Sequence, residues 1–396
     1  MDSVTTAGSR LPTTPLHRSL PDTFFGWIDA QGMSLDPETV PLRQAAGRVL
    51  AEPVAAPANI PDSPTAACDG YAVRAADTVG ASDYSPLPLR LLPDDSRAVP
   101  GTARLISFGD PLPEGMDAVL PFELAEPQGP LVEVAGAVPS GAGVSRQGEE
   151  CEVGEPLSVV GHRLRPQDIA RLALSGLSQV AVRRRPSIRL ILSGRYRADA
   201  DGPMLMSLVA RDGGVAQEPE VSLTPSELED ALTRTGADLI LIAGATGQGI
   251  NDHAPRVLAA VGHLAFHGVA IHPGDSTGLG RVGATPVVLL PGIPLACLFA
   301  YDLFVARLLR RAAGLSGPWP YPARRLPLTR KVASSIGRLE LCRVRIGGGR
   351  AEPLAIVDGR LLSTAVQADG FVLVPVQSEG HSEGTEVTVH LYDQMS

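Results

Sequence analysis

Two hydrophobic rhythms divide the chain. From Ser63 to about Glu126, short apolar runs are broken by Gly and Pro, as in "ARLISFGDPLPEGMDAVLPFE", and this pattern predicts short strands and turns in a compact β-rich lobe. After "RRRP" at 183–186 the rhythm changes. "IRLILS", "ADLILIAGA" and "TPVVLLPG" are continuous apolar runs, whereas "GPMLMSLVARDGG", "TPSELEDALTRTG" and the stretch from about Pro294 to Arg311 carry helical spacing. Apolar strands separated by amphipathic helices predict an α/β unit with a parallel sheet covered on both faces. Thr224 and Glu227 have the spacing of a capping box at one helix start.

Between these regions, Pro166 suits a first helical position, Ile169, Leu172, Ala173 and Leu177 recur at helical spacing, and Gly176 lies near the stop. "SLPDTFFGWIDAQG" predicts a short helix. Residues from about 320 to 396, with "LELCRVRIGGG", "GFVLVPV" and "TEVTVHLY", predict a small closed β-domain. Residues 1–19 read as a flexible arm.

A chain of 396 residues calls for two to four domains. With 44% apolar but only 4% aromatic residues, its cores rest on Val, Leu, Ala and Ile. The net charge of −9 argues against nucleic-acid or anionic-membrane partners. The N-terminal "MDSVTTAGSR" has no signal pattern and no span of about 20 apolar residues occurs, so a soluble cytoplasmic protein is expected. Cys68, Cys151, Cys297 and Cys342 form no C-x-x-C pair and read as small buried hydrophobes. Lys331 is the single lysine, which excludes any mechanism needing a lysine near the centre of the chain.

Candidate chemistry falls where strands end in turns. In "SPTAACDGYAVRAADT", Asp69 either caps a turn or faces a cavity. "GATGQGIND" follows a predicted strand, and its glycines Gly244, Gly247 and Gly249 let backbone N–H groups approach a phosphate or another oxyanion. Asp252 in that segment is either a helix N-cap or a site residue. Pro291, Gly292 and Pro294 of "LLPGIP" form a strand-to-helix turn beyond another strand. The "RRRP" segment meets either anionic substrate or solvent. His253, His267 and His272 fit no zinc spacing.

Taken in order, these motifs resemble the molybdopterin molybdenumtransferase family, the MoeA and gephyrin E-domain proteins, over nearly the whole chain from about residue 20. "CDGYAVRAADT" resembles M-D-G-Y-A-V-R-x-x-D-T, and "GDPLPEGMDAVLPFE" is similar to T-G-A-P-L-P-x-G-A-D-A-V-V-x-x-E. "RQGEECEVGEPL", "HRLRPQDIARLALSGLSQVAVRRRP", "FHGVAIHPG" and "LLPGIP" follow in the family's order. The resemblance implies a multidomain α/β and β fold. Its parts are an elongated dimerisation segment (20–50 and 140–183), a β-rich lobe (51–139), a three-layer molybdopterin-binding α/β domain (184–316) and a C-terminal β-barrel (320–396). It further implies a homodimer that inserts molybdate into adenylylated molybdopterin with release of AMP, aided by Mg²⁺. Other cofactor-biosynthesis proteins or a molybdoenzyme are implied partners. Asp69 and Asp252 would hold the cation and position substrate, Glu150 would support them, and Gly244, Gly247, Gly249, Pro291, Gly292 and Pro294 would line the cofactor site.

The departures from the family pattern concentrate in that site. Phe108 replaces the T-G-A threonine and Glu150 the G-E-D aspartate. "LSGRYR", residues 192–197, has no carboxylate where S-x-G-D-E-L has two. In G-G-x-S-x-G-x-x-D the second glycine is Ala245 and the serine Gly247; in K-P-G-K-P the lysines are His272 and Asp275; in L-P-G-N-P the asparagine is Ile293. A carboxylate in place of a cation repels an oxyanion. The alternative is therefore a catalytically impaired relative that carries molybdopterin or assists assembly.

Overall fold

The computed structural model describes residues 18–33, 35–93, 97–194, 200–354 and 361–392. Most of the arm, residues 1–17, and residues 195–197 of "LSGRYR" lie outside them. The chain divides into two units, residues 38–182 and residues 1–37 with 183–396.

Helix α1, Pro21–Ala30, opens on a proline in its first turn. Phe24 and Ile28, four residues apart, share one face and are fully buried. Phe24 packs on Phe266 and Phe304, with ring centroids 5.5 and 5.1 Å apart, and Asp29 accepts 2.8 and 2.6 Å hydrogen bonds from Arg307. The resemblance groups this helix with the elongated segment; its apolar face places it instead in the core of the unit containing residues 183–396.

Residues 38–182 hold strand β1, Pro37–Pro41, and a six-stranded sheet. Its members are β2 (Gly70–Val73), β3 (Leu87–Leu91), β4 (Thr102–Ile106), β5 (Ala118–Pro121), β6 (Ala125–Gln128) and β7 (Leu131–Val134), in the order β5-β2-β4-β3-β7-β6. All of β2 is buried. Tyr71 and Val73 face one apolar cluster and Ala72 another, as strand alternation requires. Helix α2, Pro166–Leu174, and strand β8, Gln179–Arg183, complete the unit. β8 pairs with β1, and Val40, Leu50, Leu164, Leu172 and Val182 share a separate core.

In the other unit the chain runs β9 (Ser187–Ser193), α3 (Asp201–Arg211), β10 (Val215–Ala216), β11 (Glu220–Ser222), α4 (Pro225–Thr233), β12 (Leu239–Ala243) and α5 (Ala254–Val261). It continues through β13 (His263–His267), β14 (Ile271–His272), β15 (Gly278–Val282), β16 (Thr285–Leu290) and α6 (Pro294–Ala300) to a π-helical turn (Tyr301–Val305) and α7 (Ala306–Ala312). The sheet order is β10-β9-β12-β16-β15-β13, with β11 also on β9. Ile188, Leu190, Leu239 and Leu241 face one core, and Ile191, Ile240 and Ile242 face the other. Both faces are covered, but the sheet is mixed where an all-parallel one is expected: β15 runs antiparallel to both its neighbours, β16 and β13. The cause is local. Gly283, at φ +58°, begins a two-residue turn that folds β15 straight back along β16.

The "RRRP" segment is tied down, since Arg184 bonds both oxygens of Asp238 at 2.8 and 2.9 Å. The capping box forms at α4: Thr224 Oγ1 accepts from Glu227 N, and Glu227 Oε2 accepts from Thr224 N. A buried polar network joins α3 to the long α6–α7 rod. Arg211 donates to Asp212 at 2.6 Å, to Asp302 at 2.8 Å and to the Tyr321 hydroxyl at 2.6 Å; that hydroxyl donates to Asp302 at 2.9 Å. Burial pushes the Asp302 carboxyl up to about 6, against the pull of Arg211.

The C-terminal sheet contains β17 (Ala323–Pro327), β18 (Leu339–Gly347), β19 (Arg350–Pro353), β20 (Gly370–Val374) and β21 (Glu386–Leu391). Its order is β14-β18-β20-β21-β17, with β19 on β18. A bridge between Leu328 and Ala351 brings the end after β17 back to β19, curling the sheet into a barrel. Of the four free cysteines, Cys151, Cys297 and Cys342 are buried and Cys68 is partly so. Among the described residues no helix is long and apolar enough to cross a membrane.

Candidate functional site

The parallel strands β9, β12 and β16 end together, and their turns are packed backbone on backbone. Gly244 follows β12 at φ +91°, and a Cβ there would run into the carbonyl oxygen of Ser193 at the end of β9. A Cβ at Gly292, after β16, would stand 2.9 Å from the Gly244 Cα. Glycine is thus required by close approach at both positions, and at Gly244 by φ as well. Such a junction, beyond the carboxyl ends of parallel strands, is where open α/β sheets receive ligands.

Asp252 does not cap α5, which starts at Ala254 with His253 as its N-cap. Its Oδ2 turns back to accept from Gly249 N at 2.6 Å and cinches the turn. Gly247 makes room for this, because a Cβ there would lie 2.6 Å from the same oxygen. Thr246 anchors the turn from below: its hydroxyl donates to Leu290 O at 3.2 Å and lies 3.3 Å from Ser276 Oγ. His267 Nε2 lies 2.7 Å from Thr246 O. His253 Nδ1 donates to Asn251 O at 2.9 Å, which leaves Nε2 to accept from Ser193 Oγ at 3.2 Å. His253 and His267 therefore act as struts of the turn. The sequence signal for that lay only in their placement beside it.

Ala245 sits at φ +54°, alone in the left-handed region among non-glycine described residues. The expected result of Ala245→Gly is a gain of about 1 kcal/mol in stability from relief of this strain, read as a shifted denaturant midpoint. Pro291 is buried, and Pro294 begins α6 with Ile293 as N-cap. At the neighbouring loop, burial and the nearby Arg338 guanidinium lower the pKa of His272 and favour its neutral form. Asp275 carries the opposite charge from a lysine, but it is met by Arg18, whose Nη2 lies 2.6 Å from Asp275 Oδ2. No sequence pattern singles out Arg18.

In the unit 38–182, Asp69 precedes Gly70, where a Cβ would meet the Leu120 carbonyl of β5. The Asp69 carboxylate is exposed and accepts from Phe108 N at 2.8 Å. The Phe108 ring itself is 72% exposed. Glu150 Oε1 lies 3.7 Å from Arg171 Nε, and its backbone N–H donates to Ile60 O. Among the described residues no group of three or more His, Cys, Asp or Glu side chains forms a metal cage.

Three family models match in succession: the MoeA N-terminal region (domains I and II) at residues 21–176, a probable molybdopterin-binding domain at 189–311 and the MoeA C-terminal region (domain IV) at 325–392. A protein of Methanocaldococcus jannaschii named for molybdopterin biosynthesis is 30% identical, over 89% of this chain and 91% of its own. Molybdopterin molybdenumtransferase 2 of Mycobacterium tuberculosis is 31% identical, over 78% of this chain and 82% of its own. The crystal structure of the molybdopterin biosynthesis MoeA protein from Pyrococcus horikosii superposes with a TM-score of 0.77 at 29% identity, covering 96% of this chain and all of that one. The ordered domains, the glycine-built junction at the strand ends and these likenesses agree: the chain belongs to the MoeA family.

Proposed function

We propose that the chain works in molybdenum cofactor biosynthesis as a molybdopterin molybdenumtransferase, inserting molybdate into adenylylated molybdopterin with release of AMP. The observation that carries this reading is the junction of Gly244, Gly292 and the Ser193 carbonyl. It packs the ends of three parallel strands and their glycine turns together at the place where open α/β sheets receive ligands.

In this reading the Gly244–Gly249 turn receives the phosphate end of the cofactor, with Asp252 fixing its shape and Pro291, Gly292 and Pro294 holding the adjoining wall. Mg²⁺ is bound by one or two carboxylates together with substrate phosphates, and a single carboxylate such as Asp252 or Asp69 suits that demand. When bound, Mg²⁺ supplies charge neutralisation for the departing AMP. The Asp69 carboxylate, already oriented by Phe108 N–H, positions substrate, and Glu150 supports the elongated segment through Arg171. Homodimerisation and a cytoplasmic location belong to the same reading.

A specific observation favours the carrier reading as the alternative: the loop at 272–275 presents a neutral-leaning His272 and a carboxylate where the family pattern has two lysines. The deciding experiment incubates the purified chain with adenylylated molybdopterin, molybdate and Mg²⁺ and follows AMP release. Turnover that disappears in Asp69→Ala and Asp252→Ala supports the transferase. Tight molybdopterin binding without AMP release selects the carrier, and absence of both rejects the cofactor role.

A further inference from the structure

Arg18 lies before the residues matched by the family models, which begin at 21, yet the fold holds it in one place. Ser19 forms a parallel bridge with Val269: its N–H donates to Gly268 O at 3.1 Å, and its carbonyl accepts from Ala270 N at 2.8 Å. This short pairing delivers the preceding guanidinium to Asp275, where Nη2 donates to Oδ2 at 2.6 Å. Asp275 is itself fixed, because its carbonyl accepts from Val269 N at 3.0 Å. The next residue, Ser276, is the one whose hydroxyl lies 3.3 Å from Thr246 in the glycine turn. Arg18 is thereby linked through two adjacent loop residues to the junction at the strand ends.

The other positive groups that act on this loop are buried or already bonded. Arg338 donates to Glu340 at 3.2 Å, Arg343 is 2% exposed, and His272 leans neutral through burial. Arg18 is 59% exposed and Asp275 47%. A pair so exposed adds little to folding. A guanidinium has five N–H donors, and the bond to Asp275 uses a single nitrogen.

The geometry points to Arg18 as an oxyanion-binding residue of this site, oriented by Asp275 and presenting its remaining donors to a tetrahedral oxyanion, either the phosphate of molybdopterin or molybdate. This assignment rests on the cofactor reading above. It reverses the expectation from charge alone, because Asp275 serves as the tether for a cation brought in from the N-terminal segment. Arginine suits the task, since its planar fork matches tetrahedral oxyanions in a bidentate manner.

The test titrates the full chain with molybdopterin and, separately, with molybdate, at low and moderate salt. Arg18→Ala is expected to weaken at least one of them by about tenfold or more, the loss for a hydrogen bond to a charged group, with an unchanged melting temperature. Loss for molybdopterin alone assigns the phosphate; loss for molybdate assigns the metal oxyanion. Arg18→Lys, which keeps the charge but not the fork, is expected to recover only part of the affinity. In an Asp275→Lys background, which places a cation on the loop itself, Arg18→Ala is expected to cost less than about twofold. Unchanged affinity for both probes in Arg18→Ala overturns the assignment while leaving the cofactor reading intact, and so does an equal loss in both backgrounds. A wild-type chain that binds neither probe overturns both.

Discussion

A Gly244→Val chain is expected to lose molybdopterin binding altogether and to be less stable by about 3 kcal/mol. The new side chain must stand where the Ser193 carbonyl already is, in a backbone conformation at φ +91° that branched residues rarely adopt. The strands cannot simply part, because Gly244 N donates to Leu290 O at 3.0 Å and Gly292 closes on the other side. For a unit of this size the loss corresponds to a melting point about 6–12 °C lower. Gly283 supplies the control: it also has positive φ, +58°, but nothing lies within 4 Å of the place where its Cβ would be. Gly283→Ala is expected to cost only about 1 kcal/mol and to leave binding untouched. Thermal unfolding and a cofactor titration of the two variants check both statements, and equal damage from both would show that φ alone, not the junction, governs Gly244.

The second large effect lies at Asp302. Asp302→Ala strips Arg211 and the Tyr321 hydroxyl of a shared acceptor inside the protein, and the expected loss is about 3–5 kcal/mol. Asp302→Asn keeps the shape and an acceptor oxygen, so it should cost far less. The pH dependence has a definite sign. A carboxyl raised from 3.8 to about 6 binds its proton more tightly in the folded chain, so its contribution to stability is full below about pH 4. That contribution is lost as pH rises through 6. The advantage of wild type over the asparagine variant should therefore shrink between pH 4 and pH 7. Denaturant titrations at those two pH values check it; an advantage that grows with pH would mean that attraction to Arg211 outweighs burial.

The fold was legible where local chemistry decides it. Thr224 and Glu227 announce a helix start three residues apart, and that cap forms; the apolar run "LILIA" has only one stable home, the middle of a covered sheet. The antiparallel edge was legible in principle, since Gly283 and Ala284 between two apolar runs form a hairpin signal. Its strand-like neighbours simply look alike whichever direction they run. The site was less legible because its partners are remote or choose among equals. Arg184 finds Asp238 54 residues on. Arg18 meets Asp275 across 257 residues, a distance at which no periodicity speaks. Asp252 had a helix start two residues ahead and a glycine N–H three residues behind, and it took the latter. Family resemblance singled out these positions, whereas only geometry gave their present partners.

The docking of α1 also sets a timetable for synthesis. Asp29 and Arg307 are separated by 278 residues, so a ribosome adding about 5–20 residues per second needs roughly 15–55 s to supply the second after the first. Throughout that interval Phe24 and Ile28 have emerged without the aromatic bed they finally occupy. Residues 38–182, which contain their own cores, can meanwhile fold to completion. The nascent chain thus finishes its middle before its beginning, and the apolar stripe of the first helix is the segment a ribosome-associated chaperone has longest to find.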